Sequence, residues 1–258
     1  MLFLVLARKT FDRNLQYRSA HMIHNIASAL FGFIYMSVWR GIAEGRSLGE
    51  YGTAGILSYV AFNQCILWIT SFQTNGLGLP QAVRTGAIAL ELMRPVHLFY
   101  QLICRESGQI AYQFLYKFLP IYAVYFFALP IRVPQTAAAW LWTSLALLLA
   151  AYISLCIQFL IGAAALWTTE STWMYWSNYA LSTLLSGFLI PVEWLPGPLA
   201  MISRFSFYPY LQYVPSRIYL EMDGPERLIG ALIWCVCLTA VCVAATAIMR
   251  RKVEVQGG

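Results

Sequence analysis

The chain has 258 residues, 60% hydrophobic and 11% charged, with a formal net charge of +6 and a mean hydropathy of +0.62. Soluble domains carry roughly 25% charged residues, so this composition excludes an ordinary globular domain and points to a single polytopic membrane domain over residues 1–258. The basic excess is scattered over connections and termini. It fits orientation in the membrane and contact with lipid, and it argues against a nucleic-acid partner.

The N-terminus opens on MLFLVL, a short apolar stretch whose basic residues follow it instead of preceding it. No small-residue cleavage site is visible, so no signal peptide is expected. Leu4, Ala7, Phe11 and Leu15 share one helical face, with Arg8, Lys9, Asp12 and Arg13 toward the other. That pattern predicts an amphipathic interfacial helix within residues 1–20.

A spanning helix needs about 20 predominantly apolar residues. By that measure six spans are expected, at about 22–40, 52–73, 107–129, 137–167, 173–191 and 228–249. The predicted fold is all-α, with Pro120 kinking the third span and a neighbouring helix satisfying the freed carbonyl. Of the 17 Lys and Arg, most fall on one side if the N-terminus is cytosolic. This bias predicts both termini inside, in a multi-pass protein.

Between spans two and three lies a charged island, residues 81–100, reading QAVRTGAIALELMRPVHLFY. Val83, Ile88, Leu92 and Val96 sit at helical spacing, so a helix outside the bilayer is expected there. Between spans five and six, residues 191–227 are rich in Pro, Trp, Tyr and Phe. Short helices at the outer interface suit that composition.

In the third span Arg105, Gln109, Gln113 and Lys117 recur every four residues and form one stripe. Either the stripe faces a hydrated pathway or a subunit seam, or Lys117 reaches for the surface while the glutamines bond to neighbouring helices. Asn178 in span five and Gln158 in span four offer the same pair of readings.

Chemistry of its own is not evident. A P-loop requires a lysine after a glycine to reach the phosphates, and Lys9, Lys117 and Lys252 lack that context. The carboxylates all fall in connections or at expected span ends, which disfavours a proton-driven carrier. No G-x-S-x-G and no buried aspartate pair is present. His21 and His24 could share a helix face, but no third ligand is close in sequence, so no metal is expected. Five of the six cysteines lie in apolar spans, which disfavours a disulfide framework.

The order of these features resembles the membrane subunit of an ABC-2 type transporter. The resemblance rests on the N-terminal amphipathic helix, six spans, the island after span two and the proline-rich segment after span five. The pattern RTG-x-x-A-x-E-L-x-RP over Arg84 to Pro95 is similar to a subgroup of bacterial permeases. SGFLIPVEWLP, Ser186 to Pro196, is similar to the family's G-x-x-x-P-x-x-x-x-P stretch at the outer end of span five.

The resemblance implies a permease subunit of an exporter for an amphipathic or hydrophobic substrate, whether drug, lipid or peptide. It implies pairing with a second permease copy or a related permease and with two separate ABC ATPase subunits. ATP and Mg would then be bound and ATP hydrolysed in those partners, with no cofactor in this chain. Arg84, Glu91, Arg94, Pro95 and Glu170 would contact the ATPase, unless the charges of the island simply hold it at the lipid surface. Gln109, Gln113, Lys117 and Asn178 would line a pathway, and Pro191, Glu193, Trp194, Phe205 and Tyr208 would belong to an external gate. A non-transporting scaffold or sensor using the same island is the competing reading, and a membrane-embedded enzyme a weaker one.

Overall fold

The computed structural model describes residues 2–16, 18–45, 47–168 and 171–256. The described residues are mainly helical, with no strand among them. Four helical stretches are long and apolar enough to cross a membrane by length and composition: His21–Gly45, Gly52–Arg84, Ala137–Thr168 and Arg227–Lys252. They correspond to expected spans one, two, four and six. The third and fifth take other forms.

Helix α1 (Leu2–Leu15) packs along α6 (Leu98–Gln113). The two backbones touch where a Cβ on Gly108 would lie 2.0 Å from the Ala7 carbonyl oxygen. Phe11 meets Tyr112 edge-on at 5.8 Å, and Asn14 donates to Gln109 Oε1 at 2.6 Å. The amphipathic N-terminal helix is therefore bound to protein along one side.

Helix α2 (Arg18–Gly45) is largely exposed, whereas α3 (Gly52–Thr70) is buried at every position from Gly55 to Thr70. A helix apolar on all sides belongs in the interior, and α3 packs against α2, α6, α7, α8 and α11. It ends at Thr70, before the expected limit, because the chain reverses at Asn75–Gly78. Gly76, Leu77 and Gly78 have φ of 55°, 52° and 79°.

The island is not one helix. It divides into α4 (Leu79–Arg84) and α5 (Ala87–Leu92), separated at Gly86 with φ 74°. Residues 98–100 already belong to α6, so the path expected as span three starts well before residue 107. That path runs through α6, a π-helical turn at Phe114–Phe118 and α7 (Leu119–Ala128). Pro120 has no N–H for the carbonyl four residues earlier. That carbonyl, on Tyr116, accepts a bond from Asn25 Nδ2 of α2 at 2.7 Å.

Helix α8 (Ala137–Thr168) is the long central strut, packed against α12 (Arg227–Gln256) and against the reversal after α3. Helix α9 (Thr172–Leu185) has 14 residues, about 21 Å at ~1.5 Å per residue. That falls short of a ~30 Å hydrocarbon core, so the expected span 173–191 is only partly helical. Beyond it come α10 (Gly197–Arg204) and α11 (Tyr213–Tyr219), with 3₁₀ turns at Val192–Trp194 and Tyr208–Leu211.

This segment is not confined to the outer rim. Ser216 donates to Asn63 Oδ1 at 2.7 Å, and the Gly187 carbonyl accepts from Tyr59 at 2.5 Å and Asn63 at 3.2 Å. Asn63 lies well inside α3, so residues 186–219 fold back into the bundle. Irregular backbone is tolerated at such depth where protein side chains satisfy it.

Candidate functional site

The reversal after α3 is pinned by three side chains from two other helices. Glu106 Oε1 of α6 accepts from the Thr74 amide at 2.8 Å, and Gln158 Oε1 of α8 accepts from the Gly76 amide at 3.1 Å. Arg105 Nη2 donates to the Leu77 carbonyl at 2.9 Å. A non-glycine residue at positive φ, as at Leu77, costs on the order of 1–3 kcal/mol. Hydrogen bonds to charged groups contribute about 1.5–3 kcal/mol each, enough to offset it.

Close packing completes the joint. A Cβ added to Gly162 of α8 would lie 2.1 Å from the Gly76 carbonyl oxygen, and one on Gly76 would lie 2.8 Å from Gly162 Cα. Only glycine at both positions lets the reversal sit flush on α8. The reversal that leads into the α4–α5 island is thus fixed to α6 and α8 as well as continuous with α3.

The outward side of the island is free of such packing. Arg84, Arg94 and Pro95 are exposed, Leu90 is 68% exposed and Met93 81%. Glu91 is half-buried and lies 3.9 Å from Arg105, a distance at which a partly exposed pair is worth little. The sequence-predicted contacts Arg84, Arg94 and Pro95 are thus each exposed on the island, while Glu91 turns toward the joint. Glu170 lies outside the described residues.

The polar stripe of the third path opens onto a cavity of about 600 Å³ among α2, α3, α6 and α9. Gln109, Gln113 and Lys117 all line it. The two glutamines also bond to neighbouring segments, Gln109 accepting from Asn14 and Gln113 donating to the Phe72 carbonyl. Lys117 is 4% exposed and does not reach the surface; its Nζ sits 3.8 Å from the centre of the Trp68 ring. Asn178 is apart from this group, accepting from the Tyr208 hydroxyl at 3.3 Å beside a separate crevice that Gln158 also lines.

At the opposite end, Arg217 of α11 gathers an ion network. Its guanidinium lies 2.9 Å from Asp223, 3.0 Å from Glu193 and 3.6 Å from Glu50. Arg227 closes on Asp223 at 3.4 Å. Tyr51 donates to Glu193 at 2.7 Å. Burial and the Glu193 carboxylate push the Tyr51 hydroxyl well above its ordinary pKa. Burial alone would lower that of Arg217, yet the bonds to Asp223 and Tyr51 raise it, so its charge is fixed.

The residues expected in an external gate are placed in different surroundings. Glu193 belongs to the Arg217 network, and Trp194 packs on Trp39 at 5.6 Å and Tyr51 at 5.4 Å. Pro191 is buried ahead of them, and Tyr208 is buried against Asn178. Phe205, 77% exposed, stands clear of all of these.

Sequence reasoning missed Arg217 as an organiser and Arg105, Glu106 and Gln158 as anchors. The run NGLGLP over 75–80 was the available signal for the reversal, since paired glycines before proline mark a turn. Glu106, placed by sequence at a span end, is 3% exposed inside α6. Among the described residues no group of three His, Cys, Asp or Glu is placed to hold a metal ion.

A search of curated proteins found no match. A family model described as ABC-2 family transporter protein matches residues 24–254, almost the whole of the bundle just described. The chain belongs to the ABC-2 transporter family and is a membrane component of an ABC transporter, a family whose permeases work with ABC ATPases.

Proposed function

We propose that this chain is the permease subunit of an exporter, driven by two separate ATPase subunits that dock on the α4–α5 island from the cytosol. The observation that carries the reading is the construction of the joint at residues 74–78. An exposed basic and apolar patch is fixed, through Arg105, Glu106 and Gln158, to α6 and α8 at once. A push on the patch is therefore delivered to three transmembrane paths without passing through a flexible linker. Family membership supplies the class of partner.

The substrate would be hydrophobic or amphipathic, with Gln109, Gln113 and Lys117 on its route. A second permease copy or a related permease would complete the translocation path between two bundles. Two exposed helices, α2 and α12, leave apolar surface for lipid or for that second permease. Both termini would be cytosolic, in a bacterial inner membrane. The external segment, with its Arg217 network, would form the outer closure.

The test is a complex reconstituted with the ATPase that co-purifies with this chain. Charge reversal at Arg94 should leave insertion and folding intact while lowering transporter-stimulated ATP hydrolysis. Undiminished stimulation together with normal co-purification would remove the docking assignment.

A further inference from the structure

The cavity beside Lys117 has a chemical character that narrows what can occupy it. Its described lining contains one lysine, two histidines and three glutamines but no carboxylate. Lys117 is 4% exposed, and no Asp or Glu among the described residues lies within salt-bridge distance of it; its neighbour is the face of Trp68. A buried cation held only by a ring is incompletely compensated, because a cation–π contact contributes about 2 kcal/mol when desolvated whereas removing an ion from water costs several.

Further polar atoms around the cavity are also left over. Both ring nitrogens of His21 and the side-chain oxygens of Gln64 and Gln113 are buried without a hydrogen-bond partner among the described residues. His21 can donate an N–H to an anion, whereas the glutamine oxygens only accept and suit water or a ligand hydroxyl. Native proteins rarely leave such groups unsatisfied. Phe31 and Phe188 supply an apolar wall to the same space. About 600 Å³ is within the usual range of small-molecule sites.

We infer that this cavity binds an anionic amphiphile, its carboxylate or phosphate head on Lys117 with a His21 N–H at hand, and its tail along Phe31 and Phe188. The assignment takes the cavity to lie on the substrate route proposed above. Its test, however, uses binding to this chain alone and needs neither an ATPase nor transport. An uncoupled permease with an intact site and a coupled permease without one are therefore told apart.

The full chain is placed in nanodiscs of zwitterionic phosphatidylcholine, and quenching of tryptophan fluorescence by 9,10-dibromostearate is titrated. The same titration uses dibromostearyl alcohol, which has the tail without the charge. Saturable quenching by the anion is expected, lost in Trp68→Phe to the extent of one indole. Lys117→Gln should weaken it about tenfold or more, as expected for losing a charge-assisted bond of ~1.5–3 kcal/mol, and Lys117→Arg should retain it.

Equal binding of acid and alcohol, or unchanged binding in Lys117→Gln, overturns the proposal. Should Lys117→Gln fail to fold, the acid–alcohol comparison on the natural chain decides by itself. A further arm replaces the acid with dibrominated phosphatidylglycerol in the nanodisc. Lys117-dependent quenching there identifies the occupant as a bilayer lipid, and quenching by the single-chain acid alone identifies a transported molecule; both carry the same head-group chemistry.

Discussion

Two regions of irregular backbone meet the same problem in different ways. The reversal at 74–78 and the returning segment at 186–223 both leave helical hydrogen bonding where water is scarce, and unsatisfied backbone groups there are costly. The first is satisfied by long side chains reaching from α6 and α8. The second is satisfied from within and by α3, through Tyr59, Asn63 and Ser216, and is clamped at its outer end by Arg217. The reversal leads into an island with exposed residues; most of the returning segment is buried or half-buried. On the function proposed above, the first would be gripped by an ATPase and the second would stay shut.

That contrast predicts unequal responses to substitution. Arg217→Ala should have the largest effect, because Asp223, 9% exposed at its side chain, keeps only Arg227, and Glu193 loses its counter-charge. Breaking a buried pair costs ~3–5 kcal/mol. Since Glu50 is 78% exposed and solvent screens its share, about 3 kcal/mol is expected, read as a drop in Tm of the purified chain. A shift no larger than that of a surface substitution would show that the clamp is ornamental to folding.

Gly162→Ala is next. Its Cβ would meet the Gly76 backbone at 2.1 Å, and overpacking costs ~1–3 kcal/mol. A Cβ on Gly41 of α2 meets nothing within 4 Å, so Gly41→Ala is the matched control and should be neutral or slightly stabilising. In the reconstituted complex, Gly162→Ala should also weaken coupling, since the joint itself moves. Equal Tm values for the two variants would contradict the close approach of α8 to the reversal.

Glu106→Gln should be milder, about 1 kcal/mol. The amide oxygen can still accept from the Thr74 amide, and only the charge assistance is lost. Glu106→Leu should cost more, because the Thr74 amide is then left without its partner. If the two substitutions are indistinguishable, the anchor works by shape and not by hydrogen bonding.

The smallest stability effect is expected for Arg94→Glu, within about 0.5 kcal/mol, as for exposed positions generally. This is also the variant with the largest expected effect on coupling to an ATPase. Glu91→Lys is less clean, since Glu91 lies beside Arg105 and Arg105 holds Leu77 in place.

Much of the helical content was legible in the sequence, because long apolar runs at residues 137–167 and 228–249 can do little else in a membrane. The ends of the other helices were not. Span two stops early at a turn written in the glycines of NGLGLP, and α6 starts early, at Leu98, inside the stretch that the polar pattern assigns to the island through Tyr100. Hydropathy windows cannot see that α9 ends at Leu185, where the chain folds back and Gly187 bonds to Tyr59 and Asn63 of α3. The i, i+4 stripe placed Gln109, Gln113 and Lys117 on one face, and they do share a cavity. Its other walls, from His21 to Phe188, come from distant segments that periodicity does not bring together.

The most direct measurement is ATP hydrolysis by the reconstituted complex carrying Arg84→Glu and Arg94→Glu together, compared with the natural chain. Both side chains are exposed on the island and take no part in the Arg105–Glu106–Gln158 joint. Retained Tm and membrane insertion with loss of transporter-stimulated hydrolysis is the expected result. Full stimulation and normal co-purification of the ATPase would contradict docking on α4–α5 and leave the island as a lipid-surface anchor.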